Sequence, residues 1–154
     1  MAETVHPPLL QVGDLFLQQA LVLGPRTTLG EAARAMRVRD VSAAVVGVPD
    51  SPVAIVTERD LTRAVAEGRT PDQPVGDIAT SDPVTVEPDT GVLDAATTML
   101  RSGLRHLVVA HDHRVVGVVS MRDVLTALVT SATADTVVVR LDRLSLTPPE
   151  IWLG

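Results

Sequence analysis

Runs of apolar residues alternate with segments of helical periodicity along the first half of the chain, and their order predicts its secondary structure. Strands are expected at 21–23, 41–46 and 53–56, and helices at 28–40 and 57–68. The first helix is marked by Thr28 and Glu31, whose spacing is that of a capping box. The second is expected to end at Gly68, because glycine readily adopts the left-handed conformation that closes a helix. The predicted unit is therefore strand, helix, strand, strand, helix.

The second half of the chain repeats this order. A shift of 63 positions without gaps places residues 12–15, Val-Gly-Asp-Leu, on residues 75–78, Val-Gly-Asp-Ile. In the second copy strands are expected at 84–86, 104–110 and 115–119, and helices at 90–102 and 120–130. A unit of about 60 residues is marginal when isolated, so we expect the two copies to fold together around a pseudo-twofold axis.

The expected fold class is α/β, or α+β in stricter usage, with two tandem βαββα repeats. We expect a lead segment at 1–10, repeat 1 at 11–68, repeat 2 at 69–130 and a C-terminal part at 131–154. An apolar run at 136–141 predicts a short strand in this last part, and a tail with Trp152 follows it. The strand and tail are candidates for dimer swapping or for docking on a partner.

The composition narrows the range of functions. Hydrophobic residues make up 45% of the chain, and the only aromatic residues are Phe16 and Trp152, so the core must be aliphatic. A net charge of -6 and so few aromatic rings argue against a nucleic-acid partner. No apolar run approaches the roughly 18 residues of a membrane span, and the N-terminus lacks a signal-peptide pattern. We therefore expect a cytoplasmic protein that does not enter a membrane. The absence of cysteine leaves no disulfide or thiol chemistry.

The sequence has no motif that indicates catalysis. It lacks a nucleophile elbow, a phosphate loop ending in Gly-Lys-Ser/Thr, and a pair of carboxylates placed for acid–base work, so we expect no enzymatic activity. His111 and His113 flank Asp112, but two histidines at this spacing without further ligands are typical of a polar turn. We expect neither catalytic residues nor a metal site.

The most informative segments lie where the third strand of each copy meets its second helix. They read Ala-Ile-Val-Thr-Glu-Arg-Asp at 54–60 and Gly-Val-Val-Ser-Met-Arg-Asp at 117–123. Together with Asp-Ile-Ala-Thr-Ser-Asp-Pro-Val-Thr-Val at 77–86 and Leu-Arg-His-Leu-Val-Val at 104–109, they closely resemble the paired CBS domain, also called the Bateman module. The resemblance implies clefts between the repeats that bind adenosine-containing ligands such as AMP, ADP, ATP or S-adenosylmethionine.

The resemblance also implies which residues form the two clefts, each built crosswise from one motif and the opposite repeat. The implied ligand-binding residues of the first cleft are Thr57, Arg59, Asp60, Thr80, Pro83, Val84, Arg105, His106 and Leu107. Those of the second cleft are Leu17, Leu21, Ser42, Ala43, Ser120, Arg122 and Asp123. We expect the second cleft to bind more weakly, because Leu17 stands where the first has Thr80, and Ser42-Ala43 where it has Arg105-His106. The first motif also has Ala54 where the family usually has glycine.

These residue types suit an adenine nucleotide, the only ligand or cofactor expected. A fixed carboxylate can accept from both ribose hydroxyls, and a guanidinium beside a helix start suits phosphate. The adenine would lie between aliphatic side chains, so no aromatic residue is required. Such a module would pass the result to a protein partner that the sequence does not identify.

Two alternatives stay open at this point. Thr57 with Asp60, and Ser120 with Asp123, are also capping boxes, so the chain is alternatively a structural scaffold with vestigial clefts. The ligand is alternatively another adenosine compound, such as S-adenosylmethionine or NAD, and one without phosphate would not depend on Arg59 or Arg105. By resemblance we expect a homodimer formed through the second helices. The apolar residues expected on that face are Leu61, Ala64, Val65, Val124, Leu125 and Leu128.

Overall fold

The computed structural model of the chain describes residues 10–15, 20–48 and 51–132. Within these ranges the protein has four α-helices and seven β-strands arranged in two sheets, which confirms the expected mixed α/β class. Leu17, the strand expected at 136–141 and the tail with Trp152 lie outside the described residues, so the predictions about them stay predictions.

The first repeat has the expected order of elements. Strand β1 spans Val22–Leu23, helix α1 Leu29–Arg39, strand β2 Ala43–Val48, strand β3 Ser51–Thr57 and helix α2 Glu58–Ala66. Helix α1 begins with the expected capping box: the Glu31 N–H donates to Thr28 Oγ1 at 3.2 Å, and the Thr28 N–H donates to Glu31 Oε2 at 2.9 Å. Gly68 follows α2 with a φ of 77°, the left-handed conformation expected there.

The second repeat matches the first except at the start of its first helix. Strand β5 spans Thr85–Val86, helix α3 Val92–Ser102, strand β6 His106–His111, strand β7 Arg114–Ser120 and helix α4 Met121–Ala132. The prediction that α3 begins at Thr90 was wrong, because the residue that caps the helix is Gly91. Gly91 occupies the repeat position of Thr28 and has no side chain to accept a hydrogen bond, so the capping signal is lost from the second copy.

A short strand that the sequence did not predict connects the two repeats. Strand β4, Thr80–Ser81, precedes β5 in the second repeat but pairs antiparallel with β3 of the first, with Ile55 opposite Thr80. The first sheet therefore has the order β1-β2-β3-β4, and the second has the order β5-β6-β7. In both sheets the first two strands are parallel and the next pair is antiparallel.

Each half also extends the segment ahead of its first strand into the other half. The Val75 N–H donates to the Thr27 carbonyl at 2.7 Å, and the Val12 N–H donates to the Thr90 carbonyl at 2.8 Å. Val75 is fully buried in the core of the first repeat, and Val12 is fully buried in the core of the second. Because each core needs a residue from the opposite half, neither repeat is complete alone.

The two cores are aliphatic, as the composition requires. Met36 of α1 and Met99 of α3 occupy equivalent positions and are each almost fully buried. Around them pack valine, leucine and alanine side chains from the strands and from the buried faces of the helices. The helices thus cover one face of each sheet, and the starts of α2 and α4 are left beside the space between the repeats.

Candidate functional site

A cavity of about 1030 Å³ lies between the two repeats, where β3 leads into α2 and β7 leads into α4. Fourteen residues expected in the two clefts line this single cavity. They are Leu21, Ser42, Ala43, Thr57, Arg59, Asp60, Thr80, Pro83, Val84, Arg105, His106, Ser120, Arg122 and Asp123. The residues expected in two separate clefts therefore surround one continuous space.

One of the two remaining expected site residues, Leu107, does not contribute to this lining. Leu107 is fully buried in the core of the second repeat, because alternate residues of β6 face opposite sides of the sheet and Leu107 follows His106. The Leu107 side chain therefore faces the core, and its role as a ligand-binding residue stays a prediction. Leu17 lies outside the described residues.

The first motif is held rigidly at the start of α2. The Thr57 N–H and hydroxyl both donate to Asp60 Oδ2, at 2.8 and 2.7 Å, and the Asp60 N–H donates to Thr57 Oγ1 at 3.4 Å. The other carboxylate oxygen, Oδ1, accepts from Arg63 Nη2 at 2.8 Å. Asp60 is buried, with only 8% of its surface exposed. The capping box expected from the sequence is thus present, and it fixes the carboxylate at the wall of the cavity.

The second motif has the same capping geometry at the start of α4. The Ser120 N–H and hydroxyl each donate to Asp123 Oδ2 at 2.7 Å, and the Asp123 N–H donates to Ser120 Oγ at 3.3 Å. Among the described residues, no side chain forms a hydrogen bond or ion pair with Asp123 Oδ1. This oxygen differs in that respect from its counterpart in the first motif.

The two repeats are joined in the cavity by a hydrogen bond that the sequence did not predict. Ser42 Oγ and His106 Nε2 lie 2.7 Å apart, and both side chains are half-buried. Burial lowers the pKa of His106, while the carboxylates of Asp123, Glu58 and Asp60 act in the opposite direction. A neutral imidazole is thus favoured at this position. Its hydrogen bond joins His106, predicted in the first cleft, to Ser42, predicted in the second.

The lining of the cavity has no net formal charge, whereas the chain as a whole is acidic. Five guanidinium groups and five carboxylates line it, against 13 basic and 19 acidic residues in the whole sequence. The arginines are Arg37, Arg59, Arg63, Arg105 and Arg122, and the acids are Asp40, Glu58, Asp60, Asp82 and Asp123. Arg37 and Arg63 were not predicted as site residues, although Arg63 stands three residues after Asp60 on a helix, a spacing at which side chains meet. An anionic ligand would find donors at several points of this wall.

Ala54 does not narrow the cavity. It belongs to the core of the first repeat and is not among the cavity-lining residues. The methyl group that distinguishes this position from Gly117 is packed in that core.

The described residues also bear on two other kinds of site. No group of three or more His, Asp or Glu side chains among them is placed to hold a metal ion. His111 is the last residue of β6, where it contacts Glu87 at 3.4 Å and Asp112 at 3.6 Å. Among all the residues that the structure describes, no helix is long and apolar enough to cross a membrane.

Comparison with known proteins places these features in a family. The family model of the CBS domain matches residues 12–67 and 75–130. A CBS domain protein from Pyrobaculum aerophilum, solved in complex with AMP, is 35% identical with a TM-score of 0.71, and the match covers 79% of this chain and 99% of that one.

Two curated relatives are similar over most of the chain. An uncharacterised protein from Methanopyrus kandleri is 33% identical over 120 residues, 75% of this chain and 61% of that protein. An uncharacterised 17.7 kDa protein from Acidianus ambivalens is 36% identical over 120 residues, 77% of this chain and 73% of that protein. The chain thus spans less than two thirds of the first of these relatives. Because the family model matches once on each repeat and together covers most of the sequence, the chain belongs to the CBS domain family and carries two CBS domains in tandem.

Proposed function

We propose that the chain is a non-enzymatic regulatory module that binds an adenine nucleotide of the AMP, ADP or ATP class in the cavity between its two repeats. The observation that carries this proposal is the cavity itself, in which a fixed carboxylate, a hydroxyl and arginines from both repeats converge. The Pyrobaculum aerophilum relative solved in complex with AMP supports the same ligand class.

Each chemical part of the ligand has a matching part of the cavity wall. The ribose hydroxyls are donors and would bond to Asp60 or Asp123, which are held by their capping boxes. Phosphate oxygens would accept from Arg59, Arg105 or Arg122, which line the same space. The adenine ring would lie between aliphatic residues such as Leu21 and Val84.

Binding in this position would couple the two repeats. A ligand that contacts both motifs stabilises the arrangement in which α2 and α4 start close to the same cavity. A ligand shifts such an equilibrium only by its difference in affinity for the two states, and a phosphate that bridges arginines of both repeats supplies that difference. We propose that the resulting change of shape or association is what a protein partner recognises. The cytoplasmic location remains the expectation from the sequence.

Thermal unfolding with candidate ligands tests the proposal. The wild-type chain is unfolded with AMP, ADP, ATP, S-adenosylmethionine and NAD in turn. A ligand at about 100 times its dissociation constant stabilises the folded state by roughly 2.7 kcal/mol, which raises the Tm of a chain of this size by about 5 to 10 °C. The same series is run on the double variant Asp60→Ala/Asp123→Ala, for which we expect the shift to disappear.

The matched control is Asp89→Ala, which removes an exposed carboxylate away from the cavity and should keep the ligand shift. A shift with a phosphate-free adenosine compound alone would redirect the proposal to that ligand. If no ligand shifts the Tm of the wild type, the scaffold alternative replaces the nucleotide proposal.

A homodimer formed through the second helices is part of the proposed function. Val65 of α2 and Leu125 and Val129 of α4 are exposed by 75%, 55% and 63%. Ala64 and Val124, which were expected on the same face, are buried in the structure and cannot form it. Sedimentation velocity on the wild type and on Val65→Glu/Leu125→Glu tests the dimer: we expect the variant to be monomeric, and a monomeric wild type would refute the dimer.

A further inference from the structure

The two ribose-binding carboxylates differ in their free hydrogen-bonding capacity. An ionised carboxylate has about four acceptor positions, two on each oxygen. On Asp60, both positions of Oδ2 are taken by Thr57 and one position of Oδ1 is taken by Arg63. On Asp123, both positions of Oδ2 are taken by Ser120, but Oδ1 has no hydrogen-bond partner among the described residues. Asp123 therefore has room for both hydroxyls of a ribose, whereas Asp60 has room for only one.

A single residue causes this difference. Arg63 lies one helical turn after Asp60, with Nη2 2.8 Å from Oδ1. The repeat register places Thr126 at the equivalent position of α4, and the Thr126 side chain is too short to replace the guanidinium. The capping bonds are otherwise alike, since the corresponding distances differ by 0.1 Å or less between the motifs.

We propose that Arg63 is a specificity residue that makes the Asp60 side of the cavity selective for phosphorylated adenosine ligands. The inference rests on the proposed function and names the ligand class of one half of the site. In the free protein Arg63 blocks one acceptor position of Asp60, and a ribose that bonds through both hydroxyls must displace it. The Asp123 side has no such block and accepts the ribose without displacement.

Displacement of Arg63 requires another anion to receive the guanidinium. The Arg63 side chain is 56% exposed and lines the cavity beside Arg59, so it can rotate into the cavity without leaving a packed position. A phosphate group on the ligand receives it with two parallel hydrogen bonds, the geometry for which arginine is suited. A neutral nucleoside offers no such partner, so its ribose competes with the ion pair and gains nothing in return.

Calorimetric titration with AMP and with adenosine tests this proposal on variants that keep only one of the two carboxylates, Asp60 or Asp123. Asp123→Ala isolates the Asp60 side, and Arg63→Gln is then added to it. We expect the added change to tighten adenosine binding about fivefold, the factor that corresponds to an ion pair of about 1 kcal/mol. We expect the same change to weaken AMP binding about tenfold, because the phosphate loses a charged partner. The preference for AMP over adenosine would then fall about fiftyfold.

The reciprocal variant provides an independent check. Thr126→Arg on an Asp60→Ala background installs the guanidinium beside Asp123, and we expect adenosine to bind more weakly while AMP binds more tightly. If Asp123→Ala does not fold, as judged by its unfolding transition without ligand, Asp123→Asn serves in its place.

The outcomes separate the two proposals. If Arg63→Gln weakens the binding of AMP and leaves the affinity for adenosine unchanged, Arg63 only contacts phosphate, and its role in blocking Asp60 is refuted. If the affinities for AMP and adenosine change by the same factor, Arg63 acts through the fold, and the selectivity proposal is also refuted. If neither AMP nor adenosine binds the wild type at all, the proposed function itself fails, and the role of Arg63 fails with it.

Discussion

Replacing Gly76 with alanine should destabilise the protein strongly, because the second repeat passes very close to the first at this residue. The Gly76 N–H donates to the Pro25 carbonyl at 3.0 Å. A Cβ atom added at Gly76 would lie 2.8 Å from that carbonyl oxygen and 3.3 Å from Pro25 Cβ. The nearer atom belongs to the backbone, so it cannot move away as a flexible side chain would. The segments around Gly76 and Pro25 must therefore move apart, and the hydrogen bond between them must lengthen or break.

The expected loss follows from these two effects. Overpacking in a tight contact costs about 1 to 3 kcal/mol, and the loss of a hydrogen bond costs about 1 kcal/mol. We therefore expect Gly76→Ala to lower the free energy of unfolding by about 2 to 4 kcal/mol. The measurement is equilibrium unfolding in urea, followed by circular dichroism, with the midpoint and slope fitted for each variant.

Gly24→Ala is the matched control. The nearest atom to a Cβ at Gly24 is Thr27 Oγ1 at 3.8 Å, an ordinary contact. Both substitutions reduce the freedom of the unfolded chain by a similar amount, so their difference isolates the contact with Pro25. If Gly76→Ala is as stable as Gly24→Ala, the close passage between the repeats, and with it the account of the shared cores, is wrong.

Three further predictions concern the caps, the histidine bridge and the core. Thr57→Val removes the hydroxyl that caps α2 and should cost about 1 kcal/mol in urea unfolding, whereas Thr62→Val, later on the same helix, should cost less than half of that. Because the pKa of His106 is lowered on folding, its contribution to stability is present above the ordinary value of 6.5 and is lost as the pH falls below it. His106→Gln should therefore weaken the fall in stability between about pH 6.5 and pH 5, measured by urea unfolding across that range. Met99→Ala leaves a cavity in the second core and should lower the free energy of unfolding by about 2 to 5 kcal/mol, and a loss below about 1 kcal/mol would contradict the observed burial.

The sequence predicted the elements whose signals are local. The capping box at Thr28, the apolar runs of β2 and β6 and the glycine after α2 each reflect the preferences of a few neighbouring residues, so they can be recognised without knowledge of the fold. The repeat added a second copy of the apolar strand pattern, although the capping box at Thr28 has no counterpart at Gly91. Strand β4 could not be predicted in this way, because two residues have no periodicity and their pairing with β3 is formed only in the folded chain.

In the candidate site, too, the features with local signals were predicted and those that depend on the fold were not. Asp60 and Asp123 were predicted from the sequence on two grounds: their spacing from Thr57 and Ser120 is that of a capping box, and the resemblance to the CBS domain implies that they bind a ligand. The orientation of the Leu107 side chain could not be predicted, because strand alternation turns it toward the core only once the sheet has formed. Arg63 was missed although its spacing from Asp60 was visible, since three-residue spacing alone does not say whether two charged residues meet at a cavity.

The sequence by itself determined that this protein consists of two similar halves with an aliphatic core and a helix cap next to each proposed ribose-binding carboxylate. Only the tertiary structure decided that each half completes the core of the other, that both predicted clefts open into one cavity, and that Asp60 is paired with Arg63 while Asp123 Oδ1 has no described partner. The physical reason is the range of the interactions. Periodicity and capping depend on residues a few positions apart, whereas the cavity depends on contacts between residues about 63 positions apart, such as the bond between Ser42 and His106, whose partners become neighbours only when the two halves pack together.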